Sequence, residues 1–259
     1  MEDHATLRLE ERPQDVLLVT LDRPEVANAF NTQTALDLTA VFESAGSHRC
    51  VVLTGAGERA FCAGGDLKER NALTDEQWHA QHKIFERMFR AVRDCPVPVI
   101  AAVNGAAYAG GLELLLHCDF AYTSKNARFA LTEVSLGIMP GGGGTQTLAR
   151  AIGERRAKEV ILAARPFSAE EALAWGVVNK LCEPDEVLPE TLGAASRVAA
   201  NAPLAVRQAK RAIHGGLQMQ LGDAMRFEIE NYNRLVGSED RREGIRAFNE
   251  KRKPVFKGR

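Results

Sequence analysis

Two glutamates stand beside glycine-rich backbone. Glu113 closes the run Tyr108-Ala109-Gly110-Gly111-Leu112-Glu113, and Glu133 precedes Val134-Ser135-Leu136-Gly137-Ile138-Met139-Pro140 and a run of further glycines. Upstream lies Phe61-Cys62-Ala63-Gly64-Gly65-Asp66-Leu67. Two carboxyl groups can give and take a proton. Unshielded glycine N–H groups can hold an oxygen as it becomes negative. Together they point to chemistry through an enolate.

Each part also has a plainer reading. Gly65 and Gly110 are either turn and cap glycines or two N–H donors converging on one oxygen. Glu113, one turn into a helix, is placed where a helix dipole favours any acid. Glu133, after Thr132 and before a loop, reads alone as a solvated acid. It is their joint placement beside the glycines that carries chemical meaning.

The surrounding pattern supplies the elements that must position them. Thr6 to Glu10 and Val16 to Leu21 read as a strand pair with a turn at Arg12-Pro13-Gln14-Asp15. Asn31-Thr32 caps a helix to about Ser44, and Cys50 to Thr54 is a short buried strand. Thr74-Asp75-Glu76-Gln77 opens a long helix to about Arg93, with Ile84, Phe85, Met88, Phe89 and Val92 on one stripe. Val99 to Val103 is a strand, Gly110 to His117 a helix and Phe120 to Thr123 a strand. Strands alternating with helices imply an α/β fold. Beyond Gly143 nearly everything reads as helix apart from Val177 to Leu181, and the stretch from Ser168 onward reads as a helical appendage for self-association.

The 259 residues suit one large domain or a domain with an appendage, and 45% hydrophobic residues are enough for a substantial core. A net charge of −1 gives no global field toward nucleic acid or membrane. Five cysteines with no CxxC spacing suit reduced thiols. The acidic start Met1-Glu2-Asp3-His4 lacks an apolar signal core, and no apolar run is long enough to span a bilayer, so the expectation is a cytoplasmic protein.

Several motifs point elsewhere. Val51 to Ala60 is a strand followed by G-x-G-x-x-A, a dinucleotide pattern, but more glycines follow where that pattern needs a helix. The glycines 141–144 lack the Lys-Ser/Thr of a phosphate loop. His117, four residues after Glu113, could share its helix face in a metal or proton relay; no third ligand is evident, and the plainer reading is a helix-end residue. No metal site is expected. The basic tail, Arg241, Arg242, Arg246, Lys251, Arg252, Lys253, Lys257 and Arg259 against Glu243 and Glu250, reads either as a solvated face or as a site for a multiply phosphorylated ligand.

At these residues the chain resembles the crotonase superfamily, and within it the enoyl-CoA hydratases. The resemblance runs from about Leu18 to the C-terminus. It is carried by Leu21-Asp22-Arg23-Pro24-Glu25, Phe61 to Leu67, Pro98 to Gly105, Glu113-Leu114 through Cys118-Asp119, Leu136 to Pro140 into Gly143-Gly144-Thr145-Gln146, and Arg241-Arg242-Glu243-Gly244. It implies a spiral of ββα units over 1–195 and a C-terminal helical oligomerisation region over 196–259, building homotrimers or homohexamers. It implies Gly65 and Gly110 as oxyanion donors and Glu113 and Glu133 as catalytic carboxylates. Ala63, Gly64, Asp66 and Leu67 would line coenzyme A, with Arg23 and Ala27 opposite and Phe256 and Lys257 on the nucleotide. Coenzyme A enters as part of an acyl-CoA thioester substrate, and no separate cofactor is implied.

Both glutamates together resemble hydratases, whereas many relatives, double-bond isomerases among them, keep only the later acid. The closest likeness within the hydratases is to the methylglutaconyl-CoA branch of leucine degradation, carried by Asp66-Leu67-Lys68-Glu69-Arg70 and Pro140-Gly141-Gly142-Gly143-Gly144. Some members of that branch bind AU-rich RNA; balanced charge and the lack of an aromatic RNA-binding motif speak against nucleic acid here. Two positions depart from the family pattern. Gly65 stands where Ala is usual, and Ala107-Tyr108-Ala109 stands where Ala-Leu-Gly is frequent, which places Tyr108 at the acyl pocket as filler or hydrogen-bonding group.

Overall fold

The computed structural model describes residues 4–259. β1 (Leu7–Arg12) and β2 (Val16–Leu21) pair antiparallel, and the turn between them holds Gln14 and Asp15 at φ 66° and 57°. α1 (Thr32–Ser44) follows, started by Asn31, whose side chain accepts from the Thr34 N–H at 2.9 Å. Then come β3 (Cys50–Gly55), β4 (Ala60–Cys62), α2 (Leu67–Asn71) and α3 (Asp75–Arg93). α3 opens on a complete capping box between Thr74 and Gln77. β5 (Val99–Val103), β6 (Ala106–Tyr108), α4 (Gly110–Leu116), β7 (Phe120–Ser124) and β8 (Arg128–Ala130) continue the alternation. The rest is α5 (Gly144–Ile152), α6 (Glu154–Leu162), β9 (Phe167–Ser168), α7 (Ala169–Trp175), β10 (Lys180–Cys182), α8 (Val187–Ala199), α9 (Pro203–Gly216), α10 (Leu221–Val236) and α11 (Glu239–Asn249).

The strands form two sheets. The larger runs β1-β2-β3-β5-β7-β10, parallel from β2 onward. The smaller runs β4-β6-β8-β9, with only β9 antiparallel. Each of β3, β5 and β7 in the large sheet is followed within a few residues by its partner β4, β6 or β8 in the small one. This is the spiral of ββα units, an α/β fold.

Every residue of β2, β3 and β5 is buried, as parallel strands covered on both faces require. Alternate residues serve opposite faces. Val51, Leu53 and Val99 face the core that holds Leu38, Phe42 and Met88. Val52 and Ile100 face α8 through Ala194 and Ala195.

Val177 to Leu181, set apart from the helices by the sequence, is part turn and part strand: Gly176 ends α7 at φ 83°, Val177 and Val178 turn into the core, and β10 begins at Lys180. The small sheet went unanticipated, because strands of two or three residues leave no periodicity to read. Beyond Gly143 it contributes β9. After β3 the glycines lead into β4 rather than a helix, which removes the dinucleotide reading.

Candidate active site

The small sheet delivers the chemistry. Gly64 and Gly65 follow β4, Gly110 and Glu113 follow β6, and Glu133 follows β8 by three residues. All but Gly64 line one cleft of about 350 Å³.

Glu113 is 3% exposed, and its Oε1 accepts hydrogen bonds from the N–H groups of Gly142 and Gly144, each at 2.8 Å. A Cβ at 142 would meet Phe89 and sit 2.7 Å from Glu113 Oε2; one at 144 would sit 2.9 Å from Oε1. The glycine run is therefore a sling for a carboxylate. Burial pushes the Glu113 carboxyl above its ordinary range, and the two N–H donors oppose that push. His117, one turn along the helix from Glu113, braces the sling: its Nε2 lies 2.6 Å from the Gly142 carbonyl oxygen and donates to it. Among the described residues no three His, Cys, Asp or Glu side chains gather as a metal site.

Glu133 opens a short 3-10 turn, Glu133–Leu136, and is 7% exposed. Its Oε2 is buried with no partner. Burial pushes this carboxyl up to about 7, its own backbone N–H opposing and the Glu113 charge adding to the rise. The two acids thus share one cleft but differ in what solvates the anion: Glu113 has two fixed donors from the sling, whereas Glu133 has only its own backbone N–H and an unpartnered Oε2. Such a difference separates a base from an acid.

Gly65 and Gly110 reach the cleft from two different loops. Phe30 bonds through its N–H to the Gly64 carbonyl and through its carbonyl to the Asp66 N–H. That ladder leaves the intervening Gly65 N–H facing away from Phe30's chain. Gly110 is the first residue of α4, where an N–H has no intrahelical acceptor. Its neighbour Ala109 is held at φ 51°, ψ −126°, a conformation that only glycine adopts freely, while its N–H bonds to Ala130 of β8. The kink aims the start of α4 at the cleft. A Cβ on Gly64, itself at φ 95°, would stand 2.9 Å from the Gly110 nitrogen, so the two loops meet in backbone contact.

The remaining sequence-derived residues divide. Ala27, Ala63, Leu67 and Tyr108 line the same cleft. Arg23 and Asp66 stand behind it as an ion pair at 2.9 Å, and Asp66 also caps α2 through the N–H groups of Lys68 and Glu69. Burial raises the Asp66 carboxyl, but the Arg23 guanidinium and those N–H donors outweigh it and hold it below the usual carboxylate range. Phe256 and Lys257 are not brought to the cleft within one chain. The Phe256 carbonyl accepts from Arg49, and the Lys257 N–H donates to Asp240 beside α11. Much of the basic tail is spent internally. Glu243 takes Arg252 and Arg246 at 2.6 and 3.1 Å, and its carboxyl is drawn down to about 2, with the Arg252 hydrogen bond as the largest cause.

Sequence reasoning missed the N–H groups of Gly142 and Gly144, although the glycine run was their signal. It also missed the aromatic and basic lining from α2 and α3: Arg70, Trp78, Phe85 and Phe89. The amphipathic stripe had marked Phe85 and Phe89 only as core.

Comparison with known proteins agrees with this geometry. The family model described as Enoyl-CoA hydratase/isomerase matches residues 11–259. The putative enoyl-CoA hydratase/isomerase YngF of Bacillus subtilis (strain 168) is 42% identical over 95% of each chain. The short-chain-enoyl-CoA hydratase of Clostridium acetobutylicum is 39% identical over 94% of each. The crystal structure of enoyl-CoA hydratase from Bacillus anthracis superposes with a TM-score of 0.96 at 39% identity, covering 98% of this chain and 100% of that one.

Proposed function

The chain belongs to the enoyl-CoA hydratase/isomerase family, and from that premise we propose that it adds water across the 2,3 double bond of an enoyl-CoA thioester. One observation carries the reading: two buried carboxylates line one cleft, one slung between two backbone N–H donors of a glycine run and the other with a buried, unpartnered oxygen. The thioester carbonyl accepts from the Gly65 and Gly110 N–H groups, which polarises the conjugated alkene and leaves its β-carbon electron-poor. Each such donor contributes about 3 kcal/mol of transition-state stabilisation. Glu113, held by the Gly142 and Gly144 N–H groups, orients a water and takes its proton as the oxygen bonds to the β-carbon. Glu133, neutral below about pH 7, gives its proton to the α-carbon. Proton exchange between the coupled pair and solvent restores the starting state.

The narrower substrate reading is methylglutaconyl-CoA, a branched thioester with a terminal carboxylate. The enzyme works as a homotrimer or homohexamer in the cytoplasm, with 196–259 as the oligomerisation region. In support, α9, α10 and the turn between them expose Ile213, Leu217, Leu221, Met225 and Ile229, apolar side chains spaced four residues apart. All five cysteines are free thiols.

The test follows the loss of conjugated-thioester absorbance with crotonyl-CoA, longer enoyl-CoAs and methylglutaconyl-CoA. Turnover that collapses in Glu113→Gln supports hydration. Double-bond migration that survives in Glu113→Gln, with no hydration by the unaltered protein, identifies an isomerase using Glu133 alone. Turnover of straight chains with none of methylglutaconyl-CoA removes the narrower assignment.

A further inference from the structure

His117 is a polar side chain that no step of hydration touches, and it is seated directly behind the glycine sling. The four consecutive glycines 141–144 have no side chains with which to anchor themselves, and glycine loses more freedom on folding than any other residue. Yet two of their N–H groups must point at one oxygen of Glu113. A group outside the run has to hold it.

α4 does so by gripping Gly142 at both its polar ends. Glu113 and His117 stand four residues apart, at the start and the end of that short helix, and so share a face. Glu113 Oε1 takes the Gly142 N–H at 2.8 Å, while the Gly142 carbonyl oxygen takes His117 Nε2 at 2.6 Å. The next residue, Gly143, turns at φ 103°, and a Cβ there would stand 3.1 Å from His117 Nε2, so the imidazole is packed close against that turn. Beyond the turn the Gly144 N–H returns to Glu113 Oε1. Phe89, its ring centre 5.4 Å from that of His117, lies against the imidazole.

The ring's other nitrogen limits the role open to it. Nδ1 is buried with no partner among the described residues, and Nε2 meets a carbonyl rather than a carboxylate. A proton relay needs a group on each side, so the relay suggested by the spacing of Glu113 and His117 falls away. A carbonyl oxygen only accepts, which places the hydrogen of the neutral ring on Nε2. Burial, the largest cause, holds this imidazole below its ordinary range. The charged groups facing the ring are Arg93 and Asp94, paired with each other at 2.8 Å at the end of α3, and His214 of α9. Across the cleft the Glu113 carboxyl faces Glu133.

We propose that His117 is a positioning residue for hydration: by holding the Gly142 carbonyl it keeps the Gly142 and Gly144 N–H groups aimed at Glu113, and so keeps that carboxylate in line with the water it activates. This deepens the hydratase reading and rests on it for the reaction.

Steady-state kinetics with crotonyl-CoA, per folded molecule, test it. His117→Leu keeps the bulk and loses the donor; kcat is expected to fall about 10- to 100-fold with KM little changed. His117→Gln, whose side-chain amide can donate from a similar reach, is expected to recover most of that loss. The acid limb of kcat/KM is expected to move to higher pH in His117→Leu and to return in His117→Gln, because a carboxylate that loses N–H donors holds its proton more tightly. Full kcat in His117→Leu, a raised KM with kcat intact, or a glutamine variant as slow as the leucine one overturns the proposal. Should neither variant fold, nitrogen NMR of the imidazole in the unaltered protein decides. A neutral ring with its hydrogen on Nε2 supports the proposal, and one with its hydrogen on Nδ1 overturns it, since Nε2 would then have none to give. Failure of the hydratase reading shows separately, as absence of turnover with every enoyl-CoA by the unaltered protein.

Discussion

The two sheets divide the labour of the molecule. The large sheet has strands of up to six residues, with β2, β3 and β5 buried on both faces. The small sheet has no strand longer than three residues, yet the oxyanion glycines and both glutamates follow its strands. Stability and chemistry are thus placed on parallel layers that the chain visits alternately. The layers are pressed together by backbone. A Cβ on Gly55, at the end of β3, would overlap the Phe61 carbonyl oxygen of β4. The small sheet need not be stable by itself, since each of its strands is held by the element before it.

That division is open to attack from both sides. The largest expected effect falls on the chemistry. Glu133→Gln should lower kcat/KM for crotonyl-CoA about 1,000-fold. The same change should stabilise the fold above neutral pH. The Glu133 carboxyl rises from 4.5 to about 7 on folding, so its favourable contribution is complete below 4.5 and is lost as pH rises through 7. Removing that charge should add about 2 kcal/mol in denaturant unfolding near pH 8 and much less near pH 4. Gain at both pH values alike would show that burial is not the cause.

Gly142→Ala comes next. Its Cβ meets Phe89 and the Glu113 carboxylate, so kcat should fall about 100-fold through displacement of the base. Unchanged kcat would mean the sling is only structural. On the other sheet, Ile100→Ala removes a fully buried side chain beneath α8. It should cost about 2–5 kcal/mol of stability, with kcat per folded molecule little changed. A large kcat loss there would erase the contrast between the layers.

The smallest effect concerns two loop positions. Gly65 has room for a Cβ, 3.7 Å from Phe30 and Phe85, whereas Ala109 occupies a glycine conformation. Exchanging them, as Gly65→Ala with Ala109→Gly, should keep both N–H donors and stabilise the protein by about 1 kcal/mol. Thermal unfolding would read it.

The same contrast explains what the sequence discloses. Val16 to Leu21, Cys50 to Thr54 and Val99 to Val103 announce themselves as apolar runs, and Thr74 to Gln77 as a capping box, because each rests on local patterns. The small sheet does not, because Ala60 to Cys62 and Arg128 to Ala130 are strands only by virtue of what they touch. Gly65, Gly110, Glu113 and Glu133 were singled out through motif resemblance, and the structure brings all four to one cleft. The glycines 141–144 were visible but their purpose was not, since the carboxylate they cradle lies about thirty residues earlier.

The central claim is that unequal solvation makes one glutamate the base and the other the acid. Heteronuclear NMR titration of the Glu133 carboxyl carbon tests it most directly. The account predicts a midpoint of about 7 for Glu133, and a Glu113 that ionises before it because the Gly142 and Gly144 N–H groups donate to its carboxylate. A Glu133 midpoint at the ordinary 4.5, or a Glu113 that stays protonated after Glu133 has ionised, would contradict it.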